Sequence, residues 1–372
     1  MKKIALLGGS RFIGFHLLKA LHREGHEVTL FNRQLSPPPE PFPKGVKFVK
    51  GDRNHPEDLK RLFIQKFDVV FDISGFTLNH VKPIIENYRP HIGHYIFLSS
   101  TVVYKKPYSN PLNENSPVDL TPNTYGGDKA LVEQFLLKEF REHRFPVTIF
   151  RPHGVIGAHD ASVAGLVFYR LVHSLPILIP KNSGRTSYLS VHDLVEACVL
   201  SMNNPKAFGS IYVVTGYEMI TAQDFVKLCG HIVSVSPQIK YVDALVQYEN
   251  YRYAKPKRHV SVVIPWARED MICDNTKIEK ELGMRFTYLE TILKDILAWF
   301  KEDPQRLAYF SLRGEHYILR ERTAPFLAEV SWELTDDLEG LVKQFKNNLK
   351  RVGWLKEGYF RVKRKLVRGN RI

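Results

Sequence analysis

Residues 3–14 read Lys3-Ile4-Ala5-Leu6-Leu7-Gly8-Gly9-Ser10-Arg11-Phe12-Ile13-Gly14, and a helical pattern then runs to Glu24 and stops at Gly25. A four-residue apolar run that meets two glycines is too short for the hydrophobic region of a secretion signal. It reads as a buried strand entering a tight turn that opens a helix. Glycine in such a turn lets backbone N–H groups approach a pyrophosphate at the helix N-terminus, and Gly14 lets the helix lie close on the strand. No Gly-Lys-Ser/Thr follows, so this is not a triphosphate-cradling loop. Gly8, Ser10, Arg11, Phe12, Ile13 and Gly14 are therefore expected to line a dinucleotide. The alternative is a tight turn with no ligand.

The alternation continues outward from this turn. Val28 to Phe31 and Val46 to Val49 read as the second and third strands, Pro56 to Lys66 as a helix, and Asp68 to Ile73 as a fourth strand. Val81 to Tyr88 is helical, His94 to Leu98 is a fifth strand, Tyr125 to His143 is a long amphipathic helix, and Val147 to Phe150 is a sixth strand. Apolar strands separated by helices require right-handed crossovers, so the expected fold is α/β, a doubly wound parallel sheet of the Rossmann type. Five prolines between Ser36 and Pro43 exclude helix there and predict a stiff surface connection; a recognition motif for another protein is the alternative. Residues 1–159 form the expected dinucleotide-binding core. Residues 160–303 form a smaller mixed α/β substrate region with some return to the core sheet, closed by helices over Asn275 to Gly283 and Leu289 to Phe300. Residues 304–372 are an extension in which Leu341, Phe345, Leu349, Val352, Leu355, Tyr359, Val362 and Leu366 fall at steps of three and four. That spacing predicts a basic amphipathic helix, weakened by Gly353 and Gly358.

Composition separates this extension from the rest. The chain has 372 residues, 44% of them hydrophobic and 25% charged, the profile of an ordinary globular protein. No run approaches the roughly eighteen apolar residues of a membrane helix. Cys198, Cys229 and Cys273 are too far apart for a disulfide scaffold or a cysteine zinc cluster, so no metal is expected and a reducing, cytoplasmic location is. The net charge is +14, but residues 341–372 hold eleven basic residues against one acid, Glu357. The body is thus near neutral and the tail is strongly basic.

Two further signals carry chemistry. The second strand ends at Asn32-Arg33, with no acid to bind the ribose hydroxyls of NAD. An arginine there can pair with the 2′-phosphate of NADP, and Arg11 lies in the neighbouring turn. NADP is therefore the expected cofactor, with NAD as the alternative. Tyr125 and Lys129 stand four apart at a helix start, on one face. The spacing alone is common, since Tyr251–Lys255, Tyr253–Lys257 and Tyr359–Lys363 share it. Only Tyr125 opens a long helix between two sheet strands and follows Leu98-Ser99-Ser100, at the carboxyl edge where such sheets bind ligands.

The glycine turn, the Ser-Ser before Thr101-Val102-Val103-Tyr104, the Tyr-x-x-x-Lys after Ser100 and Phe150-Arg151-Pro152 together resemble an extended short-chain dehydrogenase/reductase. Asp274-Asn275-Thr276-Lys277-Ile278 with Leu282-Gly283 resembles the end of that family's substrate region. The subgroup is the NAD-dependent epimerase/dehydratase family, over roughly residues 1–303. The arginine in the glycine turn also resembles the family's chloroplast stem-loop-binding branch.

The resemblance implies that Tyr125 is the general acid/base for a carbonyl or alcohol. A free phenol, near pKa ~10, is a poor base at neutral pH, and Lys129 would favour the phenolate. Lys129 would also bind the nicotinamide ribose, and Ser100 would donate to the substrate oxygen. By family position Asp52 lies near the adenine, Ser74, Gly75 and Phe76 line the cofactor, and Pro152, His153 and Val155 sit by the nicotinamide. Thr101, His159 and Arg185 would face the substrate, Arg185 gripping a diphosphate. Dehydratases of the family carry Asp-Glu after the Ser/Thr, whereas Thr101, Val102 and Val103 follow Ser100 here. The expected reaction is therefore reduction or single-centre epimerisation of a sugar nucleotide or similar polar substrate. The rival expectation is a nucleic-acid-binding protein that has kept a redox fold and uses the basic tail. That tail would dock on the body or on a second subunit of a homodimer, on an anionic membrane surface, or on nucleic acid.

Overall fold

The computed structural model describes residues 1–34, 38–160, 163–174, 177–242, 267 and 269–303. Contacts divide the chain into two units, Met1–Glu315 and His316–Ile372, and every described residue lies in the first. The helix expected within 338–366 and the three rival Tyr-x-x-x-Lys pairs lie outside the described residues.

Elements alternate through the first half: β1 (Lys3–Leu7), α1 (Phe12–Arg23), β2 (Glu27–Asn32), β3 (Lys47–Lys50), α2 (Pro56–Leu62), β4 (Val69–Asp72) and α3 (Leu78–Tyr88). They continue with β5 (Tyr95–Leu98), α4 (Tyr125–His143), β6 (Val147–Pro152), β7 (Val155–Ile156), α5 (Val163–Val172), β8 (Ile177–Pro180) and β9 (Leu189–Ser190). Then follow α6 (Val191–Ser201), β10 (Ser210–Val214), α7 (Ala222–Val233), β11 (Ile239–Val242), α8 (Thr276–Leu282) and α9 (Leu289–Glu302). All six expected strands are present, with ends shifted by a residue or two.

Seven strands form one parallel sheet in the order β10-β6-β5-β4-β1-β2-β3. From β1 the chain winds outward to β2 and β3, and from β4 it winds the other way. The β1/β4 boundary is thus the switch point, where connections diverge and leave a crevice at the strands' carboxyl ends. Strand periodicity allots the core. Ile4, Leu6, Val28, Leu30, Val69, Phe71, Ile96 and Leu98 face α1, α6 and α8. Ala5, Leu7, Phe31, Val70, Tyr95 and Phe97 face α2, α3 and α4. Burial on both faces explains why these strands read as continuous apolar runs.

Beyond β7, the chain adds β10 to the sheet beside β6, and α6 and α8 cover one face of it. A separate core gathers α5, α7, α9 and β8, with Phe168, Phe225, Leu293 and Ile296 at its centre. β8 pairs with β11, and β7 with β9, so the smaller region has two short parallel ladders. No helix among the described residues is long and apolar enough to cross a membrane.

Leu6 is fully buried in β1, an interior strand of the sheet. Leu6→Ala leaves a cavity there and should cost about 2–5 kcal/mol, read as a lower urea midpoint with an unchanged slope.

Candidate functional site

The glycine turn closes at the carboxyl end of β1. Gly8 and Gly9 hold φ of +108° and +99°, a region that side chains disfavour. A Cβ on Gly14 would stand 2.2 Å from Ile73 Cδ1 and 2.4 Å from Gly9 Cα, so α1 lies against the turn as closely as a bare backbone allows. Arg11 is exposed and precedes the first residue of α1, Phe12, while Ile13 packs on the core. Ser10 lies between them at the turn. At the end of β2, Asn32 accepts the Gln34 N–H through its side-chain oxygen. Arg33 is 61% exposed and 3.8 Å from Asp52. Asp52 accepts the Asn54 N–H, and this bond, with help from Arg33, holds its carboxyl below the usual range.

The turn after β4 is built around a buried carboxylate. Asp72 is fully buried, and Arg53 forks onto both of its oxygens at 2.8 Å. Tyr95 Oη donates to Oδ2 at 2.6 Å, and the N–H groups of Ser74 and Gly75 donate to Oδ1. Burial alone would raise the Asp72 pKa; Arg53 and Tyr95 outweigh it and hold the group ionised. Arg53 also donates to Ser74 Oγ, which donates to the Leu7 carbonyl beside the glycine turn. A Cβ on Gly75 would stand 2.6 Å from the Asp72 carboxylate. Ser74, Gly75 and Phe76 are therefore fixed between the glycine turn and the next group.

That group is Ser100, Tyr125 and Lys129. Thr124 caps α4 by accepting the Gly127 N–H at 3.0 Å, which starts the helix at Tyr125. Gly126 meets the turn after β5 backbone to backbone, since a Cβ there would be 2.2 Å from the Val102 carbonyl oxygen. Ser100 begins that turn, and its Oγ accepts the Val102 N–H at 3.3 Å. One turn along α4, Lys129 is buried and donates to the Leu98 carbonyl. Its ammonium lies 5.0 Å from the Phe76 ring and 4.6 Å from the Phe97 ring. Phe76 is also 6.1 Å from the Tyr125 ring, centre to centre. The structure thus gathers residues from four separate segments at the carboxyl edge.

Pro152 ends β6 in a buried position, and Val155 opens β7 against the core. His153 turns its ring to two hydroxyls, Thr101 Oγ1 at 2.8 Å and Thr186 Oγ1 at 2.5 Å. The His159 side chain is buried apart from these groups. Its Nε2 is 3.2 Å from Glu40, and its ring packs on Phe15, His16 and Trp299 beneath α1. Arg185 is exposed and forks onto Asp270, its own N–H completing the pair at 2.8 Å.

A profile of the NAD dependent epimerase/dehydratase family matches residues 4–84 and 83–215. The chain belongs to that family. Among relatives, it is 33% identical over 243 residues to the chloroplast stem-loop binding protein of 41 kDa b of Arabidopsis thaliana. That match spans 62% of this chain and 62% of the plant protein, under two thirds of its length. It is 26% identical to the UDP-glucose 4-epimerase of Neisseria meningitidis serogroup B, over 54% of this chain and 73% of that one. Among solved structures, the UDP-glucuronic acid 4-epimerase of Bacillus cereus, in complex with UDP-glucuronic acid and NAD, superposes with a TM-score of 0.62. It is 20% identical, and the match covers 81% of this chain and 99% of that one.

The site of this epimerase/dehydratase family member suits a dinucleotide. The glycine turn leaves bare backbone at the switch point, and Ser99 Oγ, buried beside Ser100, has no hydrogen-bond partner among the described residues. No group of three His, Cys, Asp or Glu placed to hold a metal occurs among the described residues.

Sequence reasoning missed Arg53, Asp72 and the Gly126-Gly127 pair. An acid inside an apolar strand was the available signal for Asp72, because a buried charge demands a partner. The partner, nineteen residues away, carried no signal of its own. Gly126→Ala should move Tyr125 off the Ser100 turn. Activity should fall by about 10² or more, while the far-UV spectrum stays native; unchanged activity would mean that the close approach is not needed.

Proposed function

We propose that this protein is a single-centre epimerase or reductase of a nucleoside diphosphate sugar, with Tyr125 as its acid/base. The observation that carries this is the grouping of Ser100, Tyr125 and Lys129 at the carboxyl edge of β5, beside the glycine turn. The family membership and the sugar-nucleotide epimerases among the relatives support the same substrate class.

The chain's own residues divide the work. Tyr125 takes the proton of a substrate hydroxyl as it becomes a carbonyl, and returns it in the reverse direction. The Lys129 ammonium lowers the cost of the phenolate by Coulombic attraction, strengthened where aromatic rings exclude water. It has three donors; one engages Leu98, and the family resemblance assigns Lys129 to the cofactor ribose as well. Ser100 donates to the substrate oxygen as charge develops on it. The bound dinucleotide supplies hydride acceptance and donation. Thr101, Val102 and Val103 offer no carboxyl group after Ser100, which favours a reaction without elimination of water.

Tyr125→Phe should lower turnover by about 10²–10⁴ and leave the dinucleotide dissociation constant within about twofold of wild type. Because epimerisation is redox-neutral, the assay separates sugar-nucleotide products chromatographically as well as following nicotinamide absorbance. Turnover that survives the substitution would overturn the role of Tyr125.

Cofactor preference rests on Arg33. It stands where an acid would contact the ribose hydroxyls, and its ion pair with Asp52 is long and exposed, so a 2′-phosphate could draw it away at small cost. NADPH should bind more tightly than NADH, and Arg33→Ala should remove most of the difference in titration calorimetry. Equal binding of both by the wild type would assign the site to NAD.

A further inference from the structure

Three polar side chains, one buried and two half-buried, form a line that the reaction above does not use. Thr101 follows Ser100, His153 follows the end of β6, and Thr186 follows Arg185 in the smaller region. The ring of His153 touches both hydroxyls, through Nδ1 to Thr101 and Nε2 to Thr186. Thr101 Oγ1 also reaches the Pro152 carbonyl at 3.5 Å, which can only accept. One polarity satisfies all of these contacts: Thr101 gives its proton to Pro152 and accepts from Nδ1–H, and Nε2 accepts from the Thr186 hydroxyl.

Each end of this line is anchored by backbone. Thr186 exchanges two bonds with Ile220, at 3.0 and 2.7 Å. Thr101 is buried in the turn that Gly126 fits against. The neighbouring Gly154 holds φ of +56°, and a Cβ on it would stand 2.4 Å from the Ser187 carbonyl oxygen, so this stretch also lies backbone against backbone. Burial pushes the His153 pKa down to about 4, so the ring stays neutral and keeps one donor and one acceptor.

We propose that His153 is a positioning residue, a neutral strut that ties the Thr186 segment of the substrate region to the Ser100–Thr101 turn and so sets the direction of the Ser100 hydroxyl. The strut transmits the position of the Arg185–Thr186 segment to the reacting oxygen without touching substrate or cofactor through its ring. It rests on the epimerase reading for its turnover readout, and has a second readout that does not.

The test is a double-mutant cycle with UDP-glucose and UDP-galactose as probes. Thr186→Val should lower kcat by about tenfold, the weight of one hydrogen bond lost in positioning. The KM for substrate, the dinucleotide dissociation constant and the thermal midpoint should stay close to wild type. Thr186→Ser, which keeps the hydroxyl, should restore turnover. In a His153→Phe background, Thr186→Val should cost nothing more, because the strut is already cut. Multiplicative losses, failure of Thr186→Ser to rescue, or a parallel fall in dinucleotide affinity would overturn the proposal.

Without any turnover measurement, the wild-type His153 ring should appear by nitrogen NMR as the Nδ1–H tautomer, uncharged from pH 5 to 8. A ring that titrates in that window, or the opposite tautomer, would overturn the strut even if the enzyme is active. A wild type that turns over no sugar nucleotide would overturn the epimerase reading instead, and the tautomer would then decide the strut alone.

Discussion

Asp72 is the constraint on which the rest of the site depends. A carboxylate with no exposed surface is tolerated only if every acceptor position is used. Here Arg53, Tyr95 and two backbone N–H groups use them. Satisfying the charge fixes the backbone from Ser74 to Phe76, and that stretch touches both halves of the chemistry. Ser74 reaches back to Leu7 at the glycine turn, and Phe76 reaches forward to Tyr125 and Lys129. The ion pair therefore does more for geometry than for net stability, since its Coulombic gain is set against the desolvation of two charges.

The other constraint is steric. At Gly14 and Gly126 two backbone segments approach more closely than any side chain would permit. The first seats α1 on the glycine turn, and the second seats α4 on the Ser100 turn. Both glycines lie in helices, where glycine costs about 1 kcal/mol relative to alanine. Each site trades helix propensity for close approach, and each does so beside a group expected to bind or react.

Much of this was legible in the sequence because it is local. The short apolar runs gave the six strands, the glycine pair gave the first turn, and the amphipathic pattern from Tyr125 to His143 gave α4. The candidate residues at strand ends were legible for the same reason, since parallel strands of one sheet present their carboxyl ends on one side. What the sequence concealed is long-range pairing. Nothing near Arg53 announces Asp72, and nothing near His153 announces Thr186. The seat of His159 is concealed likewise: Phe15, His16 and Trp299 pack on its ring, and Glu40 meets its Nε2.

The two buried cations of the site are handled in different ways, and the difference bears on the chemistry. Arg53 is matched by a carboxylate, so the pair presents little net charge to its surroundings. Lys129 rests against a carbonyl and the faces of Phe76 and Phe97, contacts that stabilise a cation without cancelling it. Arg53 and Tyr95 are the main partners of Asp72, and Lys129 acts on the same carboxylate by a weaker Coulombic attraction. In the proposed reaction, the Tyr125 phenol would gain from a desolvated cation four residues along the same helix.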